Sequence, residues 1–392
     1  MTGAFPVVVA GIFGACIGSF CNVVVWRLPR GESVAKGRSH CPRCGHLIRW
    51  HDNVPVLAWL MLRGRCRDCR APISARYPFV EALTAALFVL SALAFPWPAA
   101  LGPQVVVSLV LAALVCVAFV DIDRREIPDA ITKPGIAVGL LCALLVPEMH
   151  SATFLTELAN RRLAAVLEGA AGAATGALVL LVVRWVGHAV AGKEAMGLGD
   201  VKLLAMVGAF SGPVETLLVL LVASVAGSVL GGVYVASRAR RLAPLTGTLA
   251  LGDAAPASFS RARVRAPRRA PVTVAVPVAP SGAGAAPTAG TKARLDLVLP
   301  GAAVWSDDGK DVRVSVRGVV EGVERHREGT LVVVRPEPLP EADEEWLATF
   351  ALQRLSIPFG VFLALGAAAV LLAGDDIARF VTQTWPRFVT GR

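Results

Sequence analysis

No Asp, Glu, Lys or Arg occurs between Met1 and Trp26, and none between Ala82 and Val120. Crossing the hydrocarbon core of a bilayer takes roughly 20 apolar residues of helix. The first run therefore fits one crossing and the second fits two. In lipid such runs must be helical, because a helix pairs its own backbone N–H and C=O groups. The composition agrees. Of 392 residues, 55% are hydrophobic and 17% charged, with a mean hydropathy of +0.61, where an average soluble domain has about a quarter charged. No basic residues precede the first run, whereas Arg27 and Arg30 follow it. That order is wrong for a cleaved secretion signal and right for a retained helix whose C-terminal end is cytoplasmic.

The same reading along the chain predicts an all-α polytopic membrane protein with about eight transmembrane helices. They lie near residues 5–25, 78–96, 103–120, 130–147, 164–186, 200–212, 214–236 and 355–374. The sixth is short. Lys and Arg in the connections set the orientation. The Arg-rich segment 27–77, Arg124 and Arg125, Lys193, and Arg238, Arg240 and Arg241 fall on one side if the N-terminus is outside. Arg161 and Arg162 break the pattern. The net charge of +10 is thus read as positive-inside bias. No aromatic-and-basic platform of the kind that binds single-stranded nucleic acid is present.

Five regions follow: a first transmembrane helix (1–26), a polar cytoplasmic loop (27–77), a transmembrane core (78–236), a cytoplasmic insertion (237–353), and a last helix with its tail (354–392). The first half of the insertion is low in complexity, with Ala, Pro, Gly and Arg dominating from Ala255 to Gly290. It reads as a disordered linker. Its second half alternates apolar and polar residues in ARLDLVLP, DVRVSVRGVV and GTLVVVRPE, with turn signals at Asp308-Gly309 and Glu328-Gly329. That period is the mark of short β-strands.

Eight cysteines are present. Cys16, Cys21, Cys116 and Cys142 lie singly in apolar stretches and read as packing residues. The other four form two pairs in the polar loop, Cys41-Pro-Arg-Cys44 and Cys66-Arg-Asp-Cys69. Two CxxC turns at this separation have the ligand spacing of a tetrahedral, structural Zn²⁺ site. Two disulfides or a redox dithiol are the rival readings, and a cytoplasmic loop disfavours disulfides. His40 and His46 flank the first pair, but four cysteines already complete the shell.

Carboxylates concentrate at the end of the third span, at Asp121, Asp123, Glu126 and Asp129. For most of them a charged helix cap is explanation enough. Asp121 directly abuts the uncharged run and falls at the hydrocarbon edge, where an ionisable group is a functional candidate by default. Gly197-Leu198-Gly199-Asp200 then opens the sixth span. The two glycines let the backbone turn tightly or approach a substrate strand. A GxGD turn alone is weak, but paired with a second Asp that ends another membrane helix it is far more specific. Peptide hydrolysis by carboxylates needs such a pair, one ionised to activate water and one protonated to donate to the carbonyl oxygen. On the residues alone, Asp123 remains an alternative to Asp121.

Taken in order, these motifs resemble the bacterial type IV prepilin peptidases, a family of GxGD intramembrane aspartyl proteases. The matching stretches are Gly18-Ser19-Phe20-Cys21-Asn22 with Arg27-Leu28-Pro29, the four-cysteine loop, Asp121 through Pro128-Asp129, Gly192-Lys193-Glu194 through Asp200, and Ile357-Pro358-Phe359-Gly360 with Leu363-Ala364-Leu365-Gly366. The resemblance implies cleavage of the short basic leader of prepilins and pseudopilins after a Gly, at the cytoplasmic face of the inner membrane. It also implies N-methylation of the new N-terminus with S-adenosylmethionine as methyl donor. By motif position the catalytic pair is Asp121 and Asp200, with Gly197, Gly199, Asp123 and Lys193 in support. The family's first motif sets the catalytic residue eight positions before the PD aspartate, which selects Asp121. Members usually have a short connection where this chain has its insertion. A proton-coupled transporter using intramembrane carboxylates is the competing function, though no inverted repeat accompanies it. A degenerate scaffold is the third reading, and no motif residue is missing.

Overall fold

The computed structural model describes residues 4–150, 160–191, 196–238, 243–251, 257–265, 273–278, 289–299, 312–326, 329–337 and 358–379. Two compact units divide the chain, Met1–Ser228 with Pro358–Arg392 and Val229–Ile357.

The first unit is helical. Its long helices are α1 (Ala4–Arg27), α3 (Arg76–Ala94), α4 (Leu101–Arg124), α5 (Asp129–Leu145), α6 (Arg161–Ala191), α7 (Leu198–Ser211), α8 (Pro213–Arg238), which runs on into the second unit, and α9 (Phe359–Arg379). A short α2 (Leu57–Met61) lies in the polar loop. The long helices fall where the apolar runs predict them. Five are long and apolar enough to cross a membrane: α1, α3, α4, α6 and α8. This is a multi-pass membrane protein, and the remaining three helices fall short of a full crossing by length. α5 has 17 residues and α7 has 14, while the apolar part of α9 ends at Gly374 beside a kink at Ala373.

The shortness of α7 has a packing explanation. Every residue from Val201 to Ser211 except Lys202 is buried. A helix apolar all round and enclosed by other helices has no lipid-facing side to match to the bilayer. α5, α6 and α9 pack around it. Close approach is greatest where Gly172 of α6 meets Gly208 of α7, each occupying the space that a Cβ on the other would need. Small residues at such crossings replace the hydrophobic drive that lipid cannot supply.

The second unit is a closed antiparallel barrel of six strands in the order β1-β2-β3-β6-β5-β4. They are β1 (Ala243–Leu251), β2 (Ala257–Arg265), β3 (Thr273–Val278), β4 (Lys292–Leu299), β5 (Val312–His326) and β6 (Gly329–Pro336). β4, β5 and β6 are the three alternating segments seen in the sequence, and the β5–β6 register closes at His326↔Gly329. The turn signal at Asp308-Gly309 lies outside the described residues.

The disordered linker expected before these strands is corrected by the structure, because β2 and β3 fall inside it. The reason is edge pairing. β4, β5 and β6 alone would leave two open edges. β1 covers one by pairing with β4, and β3 covers the other by pairing with β6. The inward residues are small enough to be missed by composition, Ala262 among them, yet it is buried along with Val274 and Val276.

Candidate active site and candidate metal centre

α4 carries its apolar face to Val120 and Asp121 and then stops. Arg125 takes a left-handed φ of 56°, and its N–H closes on the Asp121 carbonyl at 2.8 Å. Ile127-Pro128 turns the chain into α5. Asp121 is only 4% exposed, and its Oδ2 has no hydrogen-bond partner. The first turn of α9 faces this carboxyl, with the backbone N–H groups of Gly360 and Val361 directed at it. A helix N-terminus is a favourable neighbour for a carboxylate. A Cβ on Gly360 would stand 2.5 Å from Asp121 Oδ2 and 2.9 Å from Ile127 Cδ1, so this close approach requires glycine.

Asp200 is the third residue of α7, and its carboxyl reaches back to the N–H of Gly197, the N-cap. That is half of a capping box. Gly197 has φ −73° and ψ 147°, an extended conformation open to any residue. The tight glycine turn expected from the sequence is therefore a helix cap at Gly197 and a packing contact at Gly199. A Cβ on Gly199 would stand 2.9 Å from Ile127 Cβ. Ile127 thus lies between α7 and α9, and the Asp121 and Asp200 carboxyls interact electrostatically.

Asp123 has a different setting. Nη1 of Arg76 donates to both of its carboxylate oxygens at 2.7 Å, while Nη2 donates to the Phe119 carbonyl at 3.2 Å. The guanidinium also lies 4.8 Å from the Phe119 ring centroid. Asp129 is paired with Lys133 at 2.7 Å and Lys202 at 2.6 Å, and the second pair ties α7 to α5 beside the site. Lys193 lies outside the described residues. Sequence reasoning passed over Arg76, Lys202 and Ile127. The only signal for the two cations is position, Arg76 being the last one before the long uncharged run and Lys202 the first after the GxGD turn. Gly360 was visible as a motif residue, but its contact with Asp121 is tertiary.

The four-cysteine loop contains two equivalent turns. The Cys41 N–H bonds the His46 carbonyl at 2.9 Å, and the Cys66 N–H bonds the Ala71 carbonyl at 2.8 Å. After each second cysteine comes a left-handed residue, Gly45 in one turn and Arg70 in the other. All four sulfurs lie within 4.8 Å of one another, and Cys41 Sγ is 3.8 Å from Cys69 Sγ. A tetrahedral Zn²⁺ with Zn–S bonds of ~2.3 Å places its sulfurs ~3.8 Å apart. Backbone N–H groups of Cys44 and Arg43 face the Cys41 sulfur and hold its thiol down to about 6. Cys44 also receives an N–H, from His46, yet burial and the sulfurs of Cys41, Cys69 and Cys66 push it up to about 12. Four thiols this close cannot all ionise without a cation among them. The cluster is therefore one that could hold a metal ion, and the described residues contain no other such group.

Residues 12–95 match the bacterial peptidase A24 N-terminal domain, and residues 108–232 match the type IV leader peptidase family. A prepilin leader peptidase/N-methyltransferase of Myxococcus xanthus is 33% identical over 375 residues, covering 94% of this chain and 90% of that protein. The type 4 prepilin-like proteins leader peptide-processing enzyme of Escherichia coli is 36% identical over 270 residues, covering 64% of this chain and 93% of its own. A prepilin leader peptidase/N-methyltransferase of Klebsiella pneumoniae is 41% identical over 206 residues, covering 51% and 82%.

Proposed function

The chain belongs to the type IV leader peptidase family, and on that premise we propose that it is the membrane endopeptidase that removes the leader of prepilins or pseudopilins and then methylates the new N-terminus. The relatives' names carry both activities. The transporter alternative has no comparable support. For the peptidase step we propose Asp121 and Asp200 as the catalytic pair. One observation carries this: Asp121 is buried with an unpartnered Oδ2, within electrostatic reach of Asp200. Asp123, the sequence's other candidate, is occupied by Arg76.

In this reading one carboxylate takes a proton from water as the water attacks the scissile carbonyl. The other carboxyl donates its proton to the carbonyl oxygen, giving a tetrahedral gem-diol. As the diol collapses, a proton passes to the leaving amine. The first turn of α9 and Ile127 hold Asp121 in place, and the α7 cap holds Asp200. Lys202 on Asp129 fixes α7 against α5. Methyl transfer would move the sulfonium methyl of S-adenosylmethionine to the new N-terminal amine, releasing S-adenosylhomocysteine and a proton. Zn²⁺ is the metal we assign to Cys41, Cys44, Cys66 and Cys69, with a structural role. The site is assigned to the cytoplasmic face of the inner membrane with the N-terminus outside, following the basic connections.

The test is an assay of membranes carrying this chain, given a prepilin substrate with and without labelled methyl donor. The expected result is a shortened pilin whose N-terminus takes up label only after cleavage. An uncut prepilin in membranes that contain the folded protein would overturn the peptidase reading.

A further inference from the structure

The four-cysteine segment carries an apolar face that neither the metal centre nor the aspartates use. Leu57, Leu60 and Met61 share one side of α2 at helical spacing and are 57%, 57% and 79% exposed. Trp50, in the 3₁₀ turn before α2, is 82% exposed. The opposite side of α2 is fastened down. Ala58 is buried, and Trp59 packs on Gly64 and donates Nε1–H to the Ile73 carbonyl at 3.1 Å. The exposed face is thus held in a fixed position.

Its depth follows from one hydrogen bond. The Val56 N–H, at the start of α2, donates to Glu81 Oε2 at 2.7 Å. Glu81 lies five residues into α3, ~7.5 Å along the helix axis. Its Cα packs against Gly18 of α1, where an added Cβ would stand 2.7 Å away. Gly18 is nine residues before the end of α1, ~13 Å along that axis. A glutamate side chain leans toward the N-terminus of its helix, and that still leaves Val56 level with the first turns of α3. α2 therefore begins at a depth where both neighbouring spans are already apolar. Trp26, Tyr77 and Phe79 are exposed around the same level, as aromatics are at a membrane–water boundary.

Charge points the same way. Residues 27–77 hold eleven Lys and Arg against three acids, and Arg63 and Arg65 lie just beyond Met61, after Leu62. An apolar face with a basic rim is the make-up of an element that lies in the interface plane of a bilayer. We propose that α2 and Trp50 insert into the boundary between headgroups and acyl chains on the loop's own side, with the arginine rim on the lipid phosphates. The metal centre is thereby seated on the membrane.

The test uses the full chain in nanodiscs of phosphatidylglycerol and phosphatidylethanolamine with brominated acyl chains. The emission due to Trp50 is read as the difference between wild type and Trp50→Phe. Bromination is expected to quench at least half of that difference. Leu60→Asp with Met61→Asp is expected to abolish the quenching while bound metal per chain stays unchanged. Met61→Trp in the Trp50→Phe background puts a second probe on the same face and is expected to be quenched likewise. Probes that emit as in water and are untouched by brominated lipid would overturn the proposal. So would quenching that appears only after a prepilin peptide is added, which would assign the face to substrate.

Discussion

The four-cysteine loop and the aspartate site both gather ionisable side chains, and they treat them in opposite ways. In the loop both aspartates and all four cysteines have partners. Arg67 grips Asp52, Arg49 reaches Asp68, Glu81 accepts from Val56, and the sulfurs crowd into the arrangement a metal needs. The hydrogen bond and ion pair from Arg67 hold the Asp52 carboxyl below its ordinary range. In the aspartate site the partners are incomplete. Asp121 keeps an orphan oxygen, and Asp200 has the backbone of its own helix cap. Two residues from Asp121, Asp123 is fully engaged with Arg76. Saturated groups cost little to bury and hold a fold together. Unsaturated ones are expensive, and the expense is justified where a substrate supplies the missing contact.

The strongest attempt to break this contrast is to neutralise the unsaturated groups. Asp121→Asn and Asp200→Asn are each expected to slow leader removal by at least ~100- to 10,000-fold, the range of a lost acid or base. Insertion and metal content are expected to remain unchanged. Wild-type cleavage of a co-expressed prepilin by either variant would remove that residue from the proposed pair.

Gly360→Ala sharpens the contrast without touching a charge. The new methyl would stand 2.5 Å from Asp121 Oδ2 and must displace it. A displacement of about 1 Å at a reacting group can cost ~100-fold, and alanine in place of glycine does not weaken a helix. Steady-state kinetics should therefore show kcat reduced and KM unchanged. A drop in thermal stability that accounts for all the lost activity would mean that Gly360 serves packing alone.

Cys41→Ser probes the saturated region. Metal analysis should fall from about one ion per chain, the stoichiometry of a four-ligand site, toward none, and the loop should become sensitive to protease. A smaller effect is expected on cleavage by the molecules that stay folded. If cleavage disappeared while the helices remained intact, the loop would belong to the active site and the two regions would no longer be separable.

Asp123→Asn stands between the two. It breaks a partly exposed ion pair, worth roughly 0.2–1 kcal/mol. Cleavage should change by less than about fivefold, the equivalent of 1 kcal/mol. A collapse as large as that for Asp121 would transfer the catalytic assignment to Asp123.

How much of this was legible follows from which signals are local. The uncharged runs located the long helices, because lipid imposes a condition that each residue of a span must meet separately. The cysteine pairs announced their cluster through spacing alone. Asp121 could not be told from Asp123 by local signals, since the difference is made by Arg76, 47 positions away in sequence. The crossing number was equally hidden. α7 is as apolar as a span, and only its enclosure by α5, α6 and α9 shows why 14 residues suffice. β2 and β3 were masked by composition, because Ala and Arg in a Pro-rich stretch look unable to order themselves. What orders them is the pairing of β1 with β4 and β3 with β6, a cooperative gain that no window of the sequence contains.

That closed barrel yields the smallest expected effect. Its inner residues, such as Leu295, Leu297, Val316 and Val334, are buried among one another, and closure leaves no strand edge in need of a partner. A unit satisfied in this way has no energetic claim on the aspartates. Its chain connection is another matter, because the residues after the barrel lead to Pro358 and Gly360. Deleting residues 242–340 removes all six strands and keeps the approach to α9. Leader removal in membranes should then proceed at the wild-type rate. If cleavage were lost in a stably inserted deletion variant and returned when a flexible linker of equal length was supplied, the barrel would matter only as a spacer that sets the first turn of α9 against Asp121. If the linker failed to restore cleavage, the barrel would be a working part of the enzyme, and saturation of its own contacts would be no guide to its role.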